Sequence, residues 1–145
     1  MLAEAAAGPE GHYHLRVPLF YLARHSIELS IKAAILEYAA KLEEEPRIAG
    51  HSLARLWAEF LRLMEVAGFS ADDDWTAHCA KLVAVVHDID PDGERFRYPR
   101  RLKGEEFVPA RIDVDELAVA IMHIGYLCES CCEMFDALGR QKQRG

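Results

Sequence analysis

The sequence has little of what marks secreted, membrane-spanning or nucleic-acid-coating proteins. It holds only four cysteines, and three of them crowd into residues 128–132 instead of spreading into the framework of a secreted disulfide scaffold. No stretch reaches 18 uninterrupted apolar residues, and the first residues lack the basic start and apolar run of a signal peptide. The formal net charge of −7 argues against general coating of nucleic acid. We therefore expect a soluble, cytoplasmic protein that does not associate with membranes.

Helical periodicity is the strongest positive signal. Apolar residues recur at three- and four-residue intervals in four segments, and 51% of the 145 residues are hydrophobic, enough for one domain with a real core. The segments begin at residues that suit a first helical turn or an N-cap, namely Pro18, Ser52, the capping-box pair Ser70 and Asp73, and Asp113. They end at turn residues and glycines, namely Pro46, Gly68, the turn at 90–93 and Gly139.

These segments predict an all-α fold, a four- to five-helix up-down bundle over residues 16–139. A flexible segment, residues 1–15, is expected before it and a basic tail, residues 140–145, after it. Between the third and last long helices the chain has no helical period and contains Pro99 and Pro109. We expect one long irregular connection there, and connections of this length inside a compact domain are usually functional or mobile.

The first long helix carries two apolar faces instead of one. Its wide face consists of Phe20, Ile27, Ile31, Ala34, Ile35, Tyr38 and Leu42. Its second face consists of Leu22, Leu29, Ala33, Leu36 and Ala40. A surface helix needs only one apolar face, so we expect this helix to be central, with the second face buried in the bundle or against a partner subunit. A polar strip between the faces holds Tyr21, His25, Glu28 and Lys32.

A basic run, RFRYPRRLK, lies within the expected irregular connection. Residues 95–103 carry five positive charges and no acid, in a chain whose other residues are strongly acidic. Arginines mixed with aromatic residues suit phosphate contacts combined with base stacking. The candidate phosphate- or nucleic-acid-binding residues are Arg95, Arg97, Tyr98, Arg100 and Arg101. The alternative is a solvated loop whose arginines pair with the acidic body.

Neither the cysteines nor the aspartates predict a metal site. Cys128 and Cys131 occupy apolar seam positions of the last helix, and no Cys or His pair at zinc spacing accompanies them. The aspartates at 88, 90 and 92 resemble the opening of a calcium loop, but its twelfth position, which needs glutamate, is Pro99. His78, His87 and His123 are read as isolated surface or packing residues. We expect no metal and no cofactor.

Two motifs nevertheless resemble a known superfamily. The pattern ARHSIELSIKAAIL, followed about 20 residues later by GHSLARLW, is similar to the core signature of HEPN-domain proteins. The matching residues are Glu28, Lys32, Ala33, Gly50, His51 and Leu53. Ser52 stands where aspartate is common, and the string FRYP at 96–99 resembles one found in a branch of uncharacterised bacterial members.

The resemblance implies a helical bundle that dimerises. It also implies a role as a ribonuclease of toxin–antitoxin or phage-defence systems, or as a partner of a nucleotidyltransferase-type protein. Ribonucleases of the superfamily carry arginine followed by histidine, with four to six residues between them, near the start of the last long helix. This chain departs from that pattern, because Arg47 and His51 have three residues between them and Arg111 and His123 have eleven.

We therefore expect a HEPN-like homodimer that binds a nucleotide, RNA phosphate or a partner protein without cleaving RNA. The polar cluster expected to organise its site or interface is His25, Glu28, Lys32 and His51. One alternative is a metal-independent ribonuclease in which His51 acts as general acid and base and Arg47 or Arg97 stabilises the transition state. The other alternative is a purely structural dimer module.

Overall fold

Four α-helices make up the fold in the computed structural model, which describes residues 13–93 and 113–144. They are α1 (Tyr13–Lys41), α2 (Leu53–Val66), α3 (Asp74–Ile89) and α4 (Val114–Arg144). No strand occurs in these two stretches, so the predicted all-α class is confirmed. Most of the predicted flexible segment and nearly all of the predicted irregular connection lie outside the described residues.

Side-chain caps fix the starts of three helices. Ser52 Oγ accepts a hydrogen bond from the backbone N–H of Arg55 at 3.3 Å, as predicted for α2. Asp113 Oδ1 likewise accepts from the first backbone N–H groups of α4. For α3 the cap is Asp73, whose carboxylate accepts from the Thr76 N–H at 2.8 Å, and not Ser70. A charged carboxylate placed directly before the helix is the better acceptor at this position.

Two predicted helix boundaries are wrong. Helix α1 begins at Tyr13, so Pro18 lies inside it and not at its start. Helix α4 continues through Gly139 to Arg144, so most of the predicted basic tail forms its last turns. A helical glycine costs only about 0.5–1 kcal/mol relative to alanine, and basic residues are favourable in a last turn. Lys142 and Arg144 occupy that turn.

Helices α1 and α2 run parallel, so the predicted up-down order is wrong for this pair. His51, directly before α2, contacts Glu28 in the middle of α1, whereas Arg62 near the end of α2 contacts Glu44 just beyond α1. The connector, residues 42–52, therefore runs back along α1. This return covers about 20 Å of helix, and eleven extended residues can span more than about 30 Å.

The other helix pairs complete a four-sided bundle, in which α1 and α3 each pack against both α2 and α4. Helices α3 and α4 are antiparallel, because Ile89 lies beside Asp113 while His78 meets His123 further along. Helices α1 and α4 are parallel. Tyr38 donates a hydrogen bond to the backbone carbonyl of Cys131 at 2.8 Å, and one turn later the ends of α1 and α4 are joined by an ion pair between Lys41 and Asp136.

The core forms around the predicted wide face of α1. Tyr38 is fully buried, and its ring packs edge-on against the ring of Phe60 with centroids 5.8 Å apart. The ring of Phe135 is tilted against that of Tyr38, with centroids 4.8 Å apart. Buried apolar side chains from all four helices surround it. The second face is different: Leu22, Leu29 and Leu36 are 55%, 52% and 44% exposed, so burial within the bundle is wrong for them. Among the described helices, α2 and α4 make the main contacts with α1, and the three leucines lie away from both.

The cysteines belong to the core, as predicted. Cys79, Cys128 and Cys131 are buried free thiols, and Cys132 is half-buried. Burial raises the pKa of Cys128 to about 12 and the pKa of Cys79 and Cys131 to about 11. These thiols are therefore protonated and unreactive at neutral pH.

Helix α4 is also long and apolar enough, by length and composition alone, to cross a membrane, with 33% of the apolar window buried in the bundle. The core helix of a soluble bundle meets the same two criteria, so this property does not indicate a location.

Candidate functional site

A buried charged cluster lies where α1, the start of α2 and the end of α3 meet. Arg24, Glu28 and Lys32 are spaced four residues apart, so their side chains lie on one side of α1. Glu28 Oε1 lies 3.2 Å from Arg24 Nη1, and Glu28 Oε2 lies 3.4 Å from Lys32 Nζ and 3.2 Å from His51 Nδ1. Together with Asp90, these residues are called the Glu28 cluster below.

Arg24 ties three segments of the chain together. Its Nε donates to the backbone carbonyl of Asp90 at 3.0 Å, its Nη1 donates to Glu28, and its Nη2 donates to the backbone carbonyl of His51. Arg24 was not predicted to be a functional residue from the sequence. The available signal was its position one turn before Glu28, which makes Arg-Glu an i,i+4 pair on the polar strip.

Glu28 is the negative centre of this arrangement, and its side chain is only 4% exposed. Burial alone raises the pKa of a carboxyl group, but the hydrogen bond from His51 and the charge of Lys32 outweigh burial, so the pKa of Glu28 is lowered. Glu28 is therefore ionised at neutral pH. Loss of its charge would leave the guanidinium of Arg24 buried with less compensation, which is costly.

His51 is the exposed member of the cluster, with 47% of its side chain accessible. Its Nδ1 lies within 3.3 Å of both Glu28 carboxylate oxygens. An ionised carboxylate can only accept, so this geometry assigns the proton to Nδ1 and leaves Nε2 as a hydrogen-bond acceptor. A histidine held in one tautomer by a carboxylate is suited to move protons or to bind an anion once protonated.

The space inside the cluster is too small for a ligand. The cavity lined by Tyr21, Arg24, His25, Glu28, His51 and Gly93 has a volume of about 10 Å³. That volume holds one water molecule at most. His25 is exposed and stacks on the ring of Tyr21 with the two rings 2° from parallel. Any larger ligand must therefore contact the rim of the cavity, which the exposed His25 and His51 and the partly exposed Lys32 form.

Gly93 packs directly against the cluster. Its φ is +75°, and a Cβ added there would lie 2.9 Å from Arg24 Nη1 and 3.2 Å from His51 Cβ. Only glycine fits this conformation and this close approach. The predicted phosphate-binding residues, Arg95 to Arg101, lie outside the described residues, and the first of them follows Gly93 by two positions in the sequence.

The structure groups the other predicted residues differently. Arg47 lines a separate groove with Arg55 and Arg62, so Arg47 and His51 do not share one pocket. His78 and His123, read as isolated in the sequence, face each other with His78 Nε2 2.8 Å from His123 Nδ1. Within residues 13–93 and 113–144, no three histidine, cysteine or acidic side chains lie close enough together to hold a metal ion.

Comparison with known proteins gives no relative for this chain: no family model, no curated protein and no solved structure matches it.

Proposed function

We propose that this chain is a HEPN-like helical module that binds RNA or nucleotide phosphate on the exposed rim of the Glu28 cluster, without cleaving RNA. One observation carries the proposal: Gly93, two residues before the first arginine of the basic run, packs on both Arg24 and His51. Gly93 therefore lies at the polar cluster, two positions before the basic run begins in the sequence. A role in a toxin–antitoxin or defence system and a nucleotidyltransferase-type partner stay predictions from the resemblance alone.

The state of the cluster favours binding over catalysis. Arg24 donates from each of its three nitrogens to a protein acceptor and is buried, so it serves as structure and is not accessible to a substrate. The small cavity gives no enclosed place in which a scissile phosphate could be held away from water. The cluster thus holds Gly93, two positions before Arg95 in the sequence, in close contact with Arg24 and His51. Lys32 and His51 add positive or hydrogen-bonding groups at its rim.

The test is binding of a fluorescein-labelled 12-nucleotide RNA and of a labelled nucleoside triphosphate, measured by anisotropy between 50 and 200 mM salt. Arg97→Ala/Arg101→Ala is expected to weaken binding about ten-fold or more at low salt. The variant should also flatten the salt dependence by about 0.7 in logarithmic slope for each lost phosphate contact. The matched control, Arg140→Ala/Lys142→Ala, removes two positive charges from the end of α4 and should bind normally. Unchanged affinity of the Arg97/Arg101 variant at 50 mM salt contradicts the proposal.

A metal-independent ribonuclease is the second candidate function, favoured by one observation. Glu28 holds His51 Nδ1 at 3.2 Å, which leaves Nε2 free at the surface, the arrangement of a histidine that acts as general base and acid. This candidate predicts RNA cleavage that persists in a chelator and disappears in His51→Ala. Absence of cleavage by pure protein at high concentration overturns it.

We further infer that two copies of the chain associate through the outer side of α1. Six residues there follow a three- and four-residue spacing, with leucines alternating with small residues: Leu22, Ser26, Leu29, Ala33, Leu36 and Ala40. These residues are called the outer seam. The spacing is that of a coiled-coil interface, and the small residues permit a close approach of a second helix. The exposure of its three leucines supports this assignment over burial in the bundle.

A further inference from the structure

A groove lined by three arginines lies between the connector and α2. It has a volume of about 350 Å³ and is lined by Arg47, Ala49, Arg55, Leu56, Ala58, Glu59 and Arg62. This is within the size range of small-ligand sites, unlike the cavity of the Glu28 cluster. It is called the arginine groove below. Arg55 stands one turn into α2, four residues after His51, so the groove begins next to the rim of the Glu28 cluster.

The charge of the arginine groove is not balanced within it. Arg62 makes hydrogen bonds to both carboxylate oxygens of Glu59, at 2.7 and 3.0 Å, and one to Glu44 at 3.1 Å. The hydrogen bonds from Arg62, together with the nearby charges of Arg62 and Arg47, lower the pKa of Glu59, so its carboxylate is ionised. The side chains of Arg47 and Arg55 form no hydrogen bond or close ion pair with any residue in the described part of the chain. Three arginines therefore stand against the two carboxylates of Glu44 and Glu59, which leaves one net positive charge at the groove.

The position of Arg55 is unfavourable for the stability of α2. The N-terminal end of a helix carries a partial positive charge and favours acidic residues, but the first turn of α2 contains none and holds Arg55 instead. A side chain that opposes the local rule without an internal partner is a mark of a binding residue. An anion in the groove would meet the arginine charges and the positive end of α2 together.

We propose that the arginine groove binds a second phosphate group of the same ligand whose first phosphates contact the rim and the basic run. The ligand chemistry that fits two separated phosphate contacts is the backbone of single-stranded RNA, and a free nucleoside triphosphate is the other source of the same groups. The inference rests on the proposed function, because it extends the bound strand from His51 along the connector and α2. Arg47 and Arg55 make the phosphate contacts, and Arg62 holds Glu59 away from the strand.

The test compares a labelled 12-nucleotide RNA, a labelled dinucleotide and a labelled nucleoside triphosphate with wild-type protein and the Arg47→Ala/Arg55→Ala variant. The variant should bind the 12-nucleotide RNA roughly ten-fold more weakly at 50 mM salt. Its logarithmic salt slope should be smaller by about 1.4, which corresponds to two single-strand phosphate contacts. Affinity for the dinucleotide and for the triphosphate should stay within about two-fold of wild type, because both ligands are too short to reach from the rim into the groove.

The outcomes separate this inference from the proposed function. If Arg97→Ala/Arg101→Ala weakens RNA binding but Arg47→Ala/Arg55→Ala does not, the arginine groove is not a site and the proposed function stands. If the groove variant loses the triphosphate as strongly as the 12-nucleotide RNA, the groove holds a free nucleotide and the extended-strand path is wrong. If wild-type protein binds none of the three probes at 50 mM salt, the proposed function fails.

A stability measurement excludes a structural explanation for weaker binding. Because Arg55 opposes the helix dipole, Arg55→Ala should unfold at the same temperature as wild type or slightly above it. Weaker RNA binding together with unchanged or higher thermal stability supports a binding role. A lower melting temperature of Arg55→Ala contradicts the inference, since it would show that Arg55 stabilises the fold.

Discussion

His51 Nδ1 lies 3.2 Å from Glu28 Oε2, although 23 positions and the end of α1 separate the two residues in the sequence. The contact exists because the connector after α1 returns along that helix before α2 begins. It joins the middle of α1 to the start of α2, two segments that lie more than 20 positions apart in the sequence. Because Glu28 makes this contact, a substitution of Glu28 tests both the stability of the bundle and the properties of its candidate site.

Glu28→Gln should destabilise the protein strongly. The amide keeps the shape of the side chain but removes the charge that compensates Arg24, and breaking a buried ion pair costs about 3–5 kcal/mol. The free energy of unfolding, measured by urea denaturation, should fall by roughly that amount. Glu133→Gln, at an exposed acid on α4, is the matched control and should change the free energy of unfolding by less than about 0.5 kcal/mol. Equal free energies of unfolding for Glu28→Gln and wild type would mean that the Glu28 cluster contributes nothing to stability.

The Glu28 cluster should also make the fold sensitive to acid. The pKa of Glu28 is lowered in the folded protein from an ordinary value of 4.5, so the unfolded chain binds its proton at a higher pH than the folded chain does. The stabilisation is therefore fully present above about pH 4.5 and is lost as the pH falls through the folded-state value. Melting temperatures measured from pH 7 to pH 3 should converge for wild type and Glu28→Gln at the acidic end. A constant difference across this range contradicts the assignment.

Gly93→Ala should lower both stability and RNA binding. The residue has φ of +75°, and the new Cβ would approach Arg24 Nη1 to 2.9 Å, so backbone strain and a close contact add to a cost of about 1–3 kcal/mol. Displacing Gly93 also disturbs its packing against His51, which belongs to the proposed RNA-binding rim. The measurements are thermal unfolding and RNA anisotropy.

Gly125→Ala is the control for that variant, because a Cβ at this helical glycine meets no atom within 4 Å. Replacing a helical glycine by alanine should stabilise the protein by about 0.5–1 kcal/mol. If Gly93→Ala is as stable as wild type and binds RNA equally well, the close packing of Gly93 on the cluster contributes neither to stability nor to RNA binding.

Leu29→Glu should abolish association of two copies without unfolding the bundle. Leu29 lies at the centre of the outer seam and is 52% exposed, so a charge there faces water in the single chain but a second copy in the dimer. Light scattering after size-exclusion chromatography should give twice the chain mass for wild type and the chain mass for the variant. Val85→Glu, at an exposed apolar position of α3, should keep the wild-type mass. A wild-type protein that runs as a single chain at all concentrations overturns the dimer.

The helices could be predicted from the sequence because their signals are local. The wide apolar face of α1 and the capping residues Ser52 and Asp113 each act within a few residues of their own position, and each prediction agrees with the structure. The stop at Gly139 was wrong because the cost of a helical glycine is small compared with that of ending a long helix early.

The direction of α2 and the full membership of the site could not be predicted, since both depend on contacts between distant segments. An eleven-residue connector can reverse the chain or return along the helix, and its composition does not distinguish these courses. Arg24 was missed because its partners, the carbonyls of His51 and Asp90, meet it only after α2 and α3 are in place. Similarly, nothing in the sequence indicates that His78 and His123 would face each other.

The parallel course of α1 and α2 has a consequence for the electrostatic charge at one end of the bundle. Since α4 is also parallel to α1, three helices point their amino ends toward the end of the bundle where Arg24, His51 and Gly93 lie, and only α3 points its carboxyl end there. With about half an elementary charge at each helix end, this pole gains a net charge of about +1 from the backbone alone. This backbone charge offsets part of the negative charge of the carboxylates that lie at the same end, among them Asp90, Asp92, Asp113, Asp115 and Glu116.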